Sequence, residues 1–304
     1  MADKARPLEL WLPDLPRFEA GHPLRAWLAR ADEAGAAPRG YLAGLAAYFE
    51  CVGGFAPAAL TREQLAGDAA GAAWLSADPA WIQPDLNGAR LLACGRMQLG
   101  MDDALALAEP LKPVFGDAGM TLEVSSPDRW HLRLPPGTPL PSFASPEQAL
   151  GEDLFQHLPE GTEGRRWRAL LTEVQVLLHQ HPLNARRRES GLPPVNSLWL
   201  WGGGSLPSAV RSGLAGCVSD DVLLGALAAR AGVAVAPRTP EAIAEAKEGW
   251  LVDLQDLPAT ELAGPWWPAL EGLAGRALLL SFASGERWLH RPWHRLRFWR
   301  GTRR

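Results

Sequence analysis

A buried-looking run, Asn196–Trp201, drives straight into Gly202-Gly203-Gly204 and then meets Pro207. Few features constrain a fold more. Six mostly apolar residues of β character read as an interior strand. Three glycines after it let the backbone turn sharply or approach a neighbour closely, and Pro207 is suited to open a helix. The same pattern recurs more weakly elsewhere. Leu8–Leu12, Cys217–Val218, Trp250–Leu254 and Arg276–Phe282 are short apolar runs, each bounded by turn residues and followed by helical periodicity. Strands alternating with helices indicate an α/β fold, a mostly parallel, doubly wound sheet covered on both faces.

Between residues 77 and 161 the texture differs. Trp81–Pro84 and Ala89–Cys94 flank Asp85-Leu86-Asn87-Gly88, where Asn-Gly is a hairpin signal. Met101–Phe115 is helical in period, with Asp102 and Asp103 in its first turn. Met120–Val124 and Trp130–Leu134 alternate across a Ser-Pro-Asp turn. The expectation is a small inserted α+β domain at 77–161 with a proline-rich exit, within a discontinuous main domain of 1–76 and 162–304. Two further helices are expected. One opens at Thr61, where TREQ has capping-box form. The other spans Gly164–His181 with an apolar face and has His181 at its C-terminal cap.

Composition narrows the function classes. The net charge of -4 argues against a dedicated nucleic-acid binder, although Arg287–Arg304 alternates arginine with tryptophan and histidine. An edge strand with arginines facing water is the expected reading of that ribbon. Cys51, Cys94 and Cys217 form no CxxC pair and read as reduced thiols. No apolar stretch reaches the roughly 18 residues needed to span a membrane, so the expected location is cytoplasmic.

Strand, glycines and helix in succession make an anion cradle, because free N–H groups and the helix dipole point at the ligand. Arg186, Asn196, Gly202, Gly203 and Gly204 are therefore the candidate ligand-binding residues. The segment is not a P-loop, because Ser205-Leu206-Pro207 follows the glycines. Nor is it GxGxxG or a nucleophile elbow. His179 and His181, two apart, point to different sides. His290 and His294 are separated by Pro292 and have no acid between them, so no metal site is expected from histidine. Asp14, Asp253 and Asp256 follow strands and are the carboxylates that a metal site would have to use.

The stretch HPLNARRRESGLPPVNSLWLWGGGSLP resembles the HPxNxxR…GxxPxN…GxGxxP segment of archaeal-type cofactor-independent phosphoglycerate mutases, of the alkaline phosphatase superfamily. The nearest likeness is to a shorter bacterial, RpfE-like branch. The resemblance implies an alkaline-phosphatase-like sheet with an insert. It also implies that most of the catalytic equipment is missing. The family's first Asp-Gly becomes Asp14-Leu15, and no nucleophilic Ser or Thr is evident before residue 77. Both histidines of its late metal motif are absent from LVDLQDLPATELAGP, and Trp201 stands where the glycine motif usually has arginine. The expectation is a degenerate, regulatory relative that has lost its metals and catalysis. It would bind a small phosphorylated ligand or a protein partner, with no cofactor. The alternative is an active mutase or phosphatase using Mn or Mg at Asp14, Asp253 and Asp256.

Overall fold

The computed structural model describes residues 6–85 and 88–297. Its strands, in chain order, are β1 (Leu8–Leu12), β2 (Asp32–Ala36), β3 (Phe49–Val52), β4 (Ala73–Asp85), β5 (Gly88–Cys94), β6 (Thr121–Ser126) and β7 (Arg129–Leu134). They continue with β8 (Ser197–Ser205), β9 (Ala209–Ser212), β10 (Gly216–Val218), β11 (Ala234–Ala236), β12 (Trp250–Asp253), β13 (Leu278–Phe282) and β14 (Glu286–His290). The chain divides into two compact units, residues 1–52 with 209–304, and residues 53–208.

The first unit carries the expected α/β sheet, in the order β11-β10-β12-β1-β13-β14-β2. Its first five strands are parallel, and β14 and β2 add antiparallel. Strand alternation decides the faces. Leu8, Leu10 and Leu12 join Leu278, Leu280, Phe282 and Val252 in one apolar core, where the helices Pro240–Glu245 and Trp267–Gly272 contribute Ile243 and Leu270. Glu9 and Trp11 face the other way, toward the helix Tyr41–Tyr48. That helix comes so close that a Cβ on Gly44 would lie 2.5 Å from the Trp11 indole. Only glycine fits there. A separate antiparallel ribbon joins β3 to β9.

The second unit is built on one antiparallel sheet with β4 as its hub. β4 pairs with β8 from Ala73 to Ala80, with β7 from Ala73 to Ser76, and with β5 from Ala80 to Asp85. Its core sets Leu75, Trp130, Leu132 and Leu198 against Leu107, Phe115, Trp167 and Val174. The last two lie on the helix Gly161–Gln180. Each large side chain buried there contributes about 1.5–3 kcal/mol.

Several expectations need correction. The unit that includes the insert runs from 53 to 208 rather than 77 to 161. β8 and the helices leading into it pack with the antiparallel sheet, which local periodicity does not encode. Asn196–Trp201 is accordingly no member of a parallel sheet, and β9 follows Pro207 where a helix was expected. The helix near Thr61 starts at Pro57, and Thr61 is buried within it. His181 is the C-terminal cap of the helix Gly161–Gln180, as expected, its amide donating to the Leu178 carbonyl. It also caps the start of the next helix, Pro182–Glu189, where its Nδ1 accepts from the Leu183 amide. The Asp85–Gly88 hairpin is present, although Asn87 lies outside the described residues. So does the end of the arginine ribbon, residues 298–304.

Candidate functional site

Open α/β sheets gather ligands at the carboxyl ends of their strands. In the first unit that edge collects polar residues for a local reason. β10 ends at Val218 and runs through Ser219 and Asp220 to Asp221, which caps the helix Val222–Ala231 by accepting from the Leu224 amide at 2.8 Å. The Ser219 Oγ accepts from the Asp221 amide at 3.0 Å and donates to Asp253 Oδ2 at 2.7 Å. Asp253 closes β12 and has no exposure to solvent. Burial pushes its carboxyl up to about 7. The Ser219 hydrogen bond and Arg238 oppose that rise, while the charges of Asp221 and Asp256 add to it. Tyr41 donates to Asp221 from the neighbouring helix.

Arg238, two residues past β11, occupies the middle of this carboxylate group. Its Nη1 donates to Asp256 Oδ1 and, at 3.2 Å, to the Asp253 carbonyl. Its Nε lies 4.0 Å from Asp220, and its side chain is 11% exposed. Burial would lower its pKa, but the Asp256 hydrogen bond and the surrounding carboxylates raise it. Asp14 sits apart, 41% exposed and paired with Arg17 at 3.3 Å. A Mn or Mg ion needs several free oxygen ligands around one point. Among the described residues no three His, Cys, Asp or Glu side chains form such a group. Asp256 already answers a guanidinium, so these residues do not fit a divalent cation.

The glycine motif is a packing device rather than a strand-to-helix cradle. Gly202, Gly203 and Gly204 lie inside β8, with φ of +66° at Gly202 and +148° at Gly204. A Cβ on Gly202 would be 2.9 Å from Pro57, on Gly203 2.8 Å from Leu140, and on Gly204 2.9 Å from Ala56. Asn196 completes the β4 edge: its side chain accepts from the Ile82 amide at 2.8 Å and donates to the Ile82 carbonyl at 2.7 Å. It also lines a cavity of about 760 Å³ beside the helix Gly161–Gln180. Arg186 is exposed. Neither it nor the glycines line that cavity.

The residue that sequence reasoning missed is Arg187, 4% exposed. It donates to the carbonyls of Pro193 at 2.9 Å, Met97 at 2.5 Å and Gln98 at 3.4 Å. Counting three residues on from Asn184, as HPxNxxR requires, lands on Arg187, so the signal was available. Asn184 is equally structural, bonding the Leu178 carbonyl and both backbone groups of Val195. In the second unit His131 is held between Thr61 Oγ1 at 2.9 Å and Ser125 Oγ at 2.7 Å. Burial, with Arg62 and Arg129 nearby, pushes its pKa down to about 3, too low for a general base at neutral pH.

Fold and site together define an α/β protein in which a buried arginine, Arg238, pairs with the strand-end carboxylate Asp256. Comparison with known proteins adds a relationship. A stretch of 81 residues, 25% of this chain, is 37% identical to a probable 2,3-bisphosphoglycerate-independent phosphoglycerate mutase of Geobacter sulfurreducens, and covers 20% of that protein. Another of 66 residues is 38% identical to the 2,3-bisphosphoglycerate-independent mutase of Methanothrix thermoacetophila, covering 22% of this chain and 17% of that enzyme. The matched part thus spans about a fifth of these relatives' length. The cofactor-independent phosphoglycerate mutase of Thermoplasma acidophilum overlays 93% of this chain and 89% of its own, with TM-score 0.41 and 15% identity. A Pyrococcus horikoshii protein overlays 94% and 87%, with TM-score 0.43 and 11% identity. No protein-family model matches the chain. Among the described residues no helix is long and apolar enough to cross a membrane.

Proposed function

We propose that this chain is a phosphoglycerate-mutase-like cytoplasmic protein that performs no metal-dependent phosphoryl transfer. It acts in a regulatory capacity by binding a small phosphorylated ligand or a protein partner. The supporting observation is Arg238, whose guanidinium pairs with Asp256 and faces Asp220 at the strand ends. A divalent cation loaded there would have to displace a buried cation already paired in place, and two like charges cannot share the position without a large penalty. Without a metal ion, the charge that develops on a transferring phosphoryl group would fall to Arg238, which is already paired with Asp256.

A second reading, an active Mn- or Mg-dependent mutase or phosphatase with a rearranged site, draws on one observation. Asp253 is a buried strand-end carboxyl that titrates near neutrality, as groups at functional sites often do. One assay separates the two readings. The purified chain is incubated with 3-phosphoglycerate and manganese or magnesium, and formation of 2-phosphoglycerate and of free phosphate is followed. No metal-dependent turnover is expected. Clear turnover with manganese that Asp253→Ala or Asp14→Ala abolishes would overturn the first reading.

A further inference from the structure

On the Glu9 face of the first unit's sheet a cavity of about 390 Å³ opens between the strands and the helix Tyr41–Tyr48. That size lies within the range of small-molecule sites. Its polar wall is assembled from four separate elements. Glu9 Oε1 accepts from Tyr48 Oη at 2.8 Å, from Ser281 Oγ at 2.5 Å and from Arg287 Nη2 at 3.2 Å. Arg287 Nε donates to Ser281 Oγ at 3.1 Å. Three donors converge on Oε1 of Glu9, and Arg287 answers its charge through Nη2 and leaves Nη1 without a hydrogen bond among the described residues. Arg6 lines the same cavity, and among the described residues no group pairs with its guanidinium. The remaining walls are apolar, with Trp11, Tyr48, Leu214 and Leu279 among them.

We infer that this cavity binds a small organic carboxylate with an aromatic or apolar body. Its single negative charge meets Arg6 and Nη1 of Arg287, and its ring lies against Trp11 and Tyr48. One unneutralised guanidinium sets the charge at one. A second guanidinium held by Glu9 supplies a fixed donor fork, and charge-assisted bonds of this kind favour carboxylates strongly. A cation is disfavoured, because two guanidinium groups, Arg6 and Arg287, line the cavity against the single carboxylate of Glu9, which Arg287 already pairs with. The site is independent of the strand-end carboxylates, so the inference holds whether or not the chain turns over phosphoglycerate.

The test is calorimetric titration of the full chain with naphthalene-2-carboxylate, naphthalene-2-carboxamide and inorganic phosphate. Saturable one-site binding of the carboxylate is expected, at least tenfold tighter than the neutral carboxamide. Arg6→Gln, which leaves the Glu9 network intact, should weaken the carboxylate at least tenfold. Ala47→Trp, a change at an exposed helix position that fills the cavity, should abolish binding while leaving the circular dichroism unchanged. Arg186→Gln should titrate like the unaltered chain. The inference is overturned by absent saturable binding, by equal affinity for carboxylate and carboxamide, or by Arg6→Gln and Ala47→Trp both behaving like the unaltered chain. Phosphate binding that is tighter than the carboxylate and lost in Ala47→Trp overturns the ligand class.

Discussion

The indole nitrogen of Trp201 donates a 2.8 Å hydrogen bond to Oδ2 of Asp78, a carboxylate with no solvent exposure. The two are diagonal neighbours across β4 and β8, since Asp78 stands opposite Trp199. Arg129 completes the group, with Nη1 at 2.5 Å from the same oxygen and its guanidinium 5.6 Å from the Trp201 ring. Burial raises the Asp78 pKa, and Arg129, Trp201 and the Trp130 amide oppose that rise. The tryptophan standing in place of an expected arginine thus serves as a neutral donor to a buried ion pair.

Trp201→Phe keeps the ring and removes this donor. It should lower stability by about 1–3 kcal/mol, because the carboxylate loses one bond without regaining water. Arg129→Met should cost more, roughly 3–5 kcal/mol, by leaving a buried charge unpaired. Urea unfolding of both variants checks the order. A Trp201→Phe midpoint equal to that of the unaltered chain would remove the indole from the account.

Adjacent arginines should behave oppositely. Arg186→Ala changes an exposed residue and should shift stability by no more than about 0.5 kcal/mol. Arg187→Ala strips the hydrogen bonds from three carbonyls and should cost roughly 2–4 kcal/mol. Burial lowers the Arg187 pKa, with Asp103 opposing. Thermal unfolding of the pair is sufficient, and equal melting temperatures would contradict the assignment.

Gly202→Ala should destabilise by at least about 1–3 kcal/mol, from a positive φ and a Cβ placed 2.9 Å from Pro57. If the glycines were instead a loop open to a ligand, the same substitution would leave stability nearly unchanged. Chemical denaturation distinguishes the two outcomes.

Asp253 makes stability depend on pH. Unfolding returns its carboxyl from about 7 to 3.8. Between pH about 4 and about 7 the folded chain therefore holds a proton that the unfolded chain has released. Stability falls as pH rises across that window, by up to roughly 4 kcal/mol. Asp253→Asn cannot ionise and should flatten this part of the profile. His131 acts in the opposite direction, since its value of about 3 is below the ordinary 6.5. Its share is complete above pH about 6.5 and is lost as pH falls toward 3. Unfolding free energies at half-unit steps from pH 4 to 8, with Asp253→Asn and His131→Gln alongside, separate the two slopes.

Much of the architecture was legible in local pattern. Leu8–Leu12 announces an interior strand through its apolar run, and the run Val222–Ala231 announces the helix after β10 through its periodicity. Both are properties of a few neighbouring residues, so periodicity and turn chemistry suffice to read them. What Ser197–Ser205 pairs with is not local. Its partner β4 lies more than a hundred residues earlier in the chain, and that pairing turns an apparent anion cradle into a strand of an antiparallel sheet whose glycines pack against Pro57, Leu140 and Ala56. The same holds for Arg238, which no motif singles out. Only folding brings it from beyond β11 to Asp256, and there its charge decides what the carboxylates at the strand ends can hold. Residue order determined the elements here. Which polar groups became neighbours, and so which charges were left unanswered, was decided by tertiary structure, because Coulomb energy and burial depend on separation in space and not along the chain.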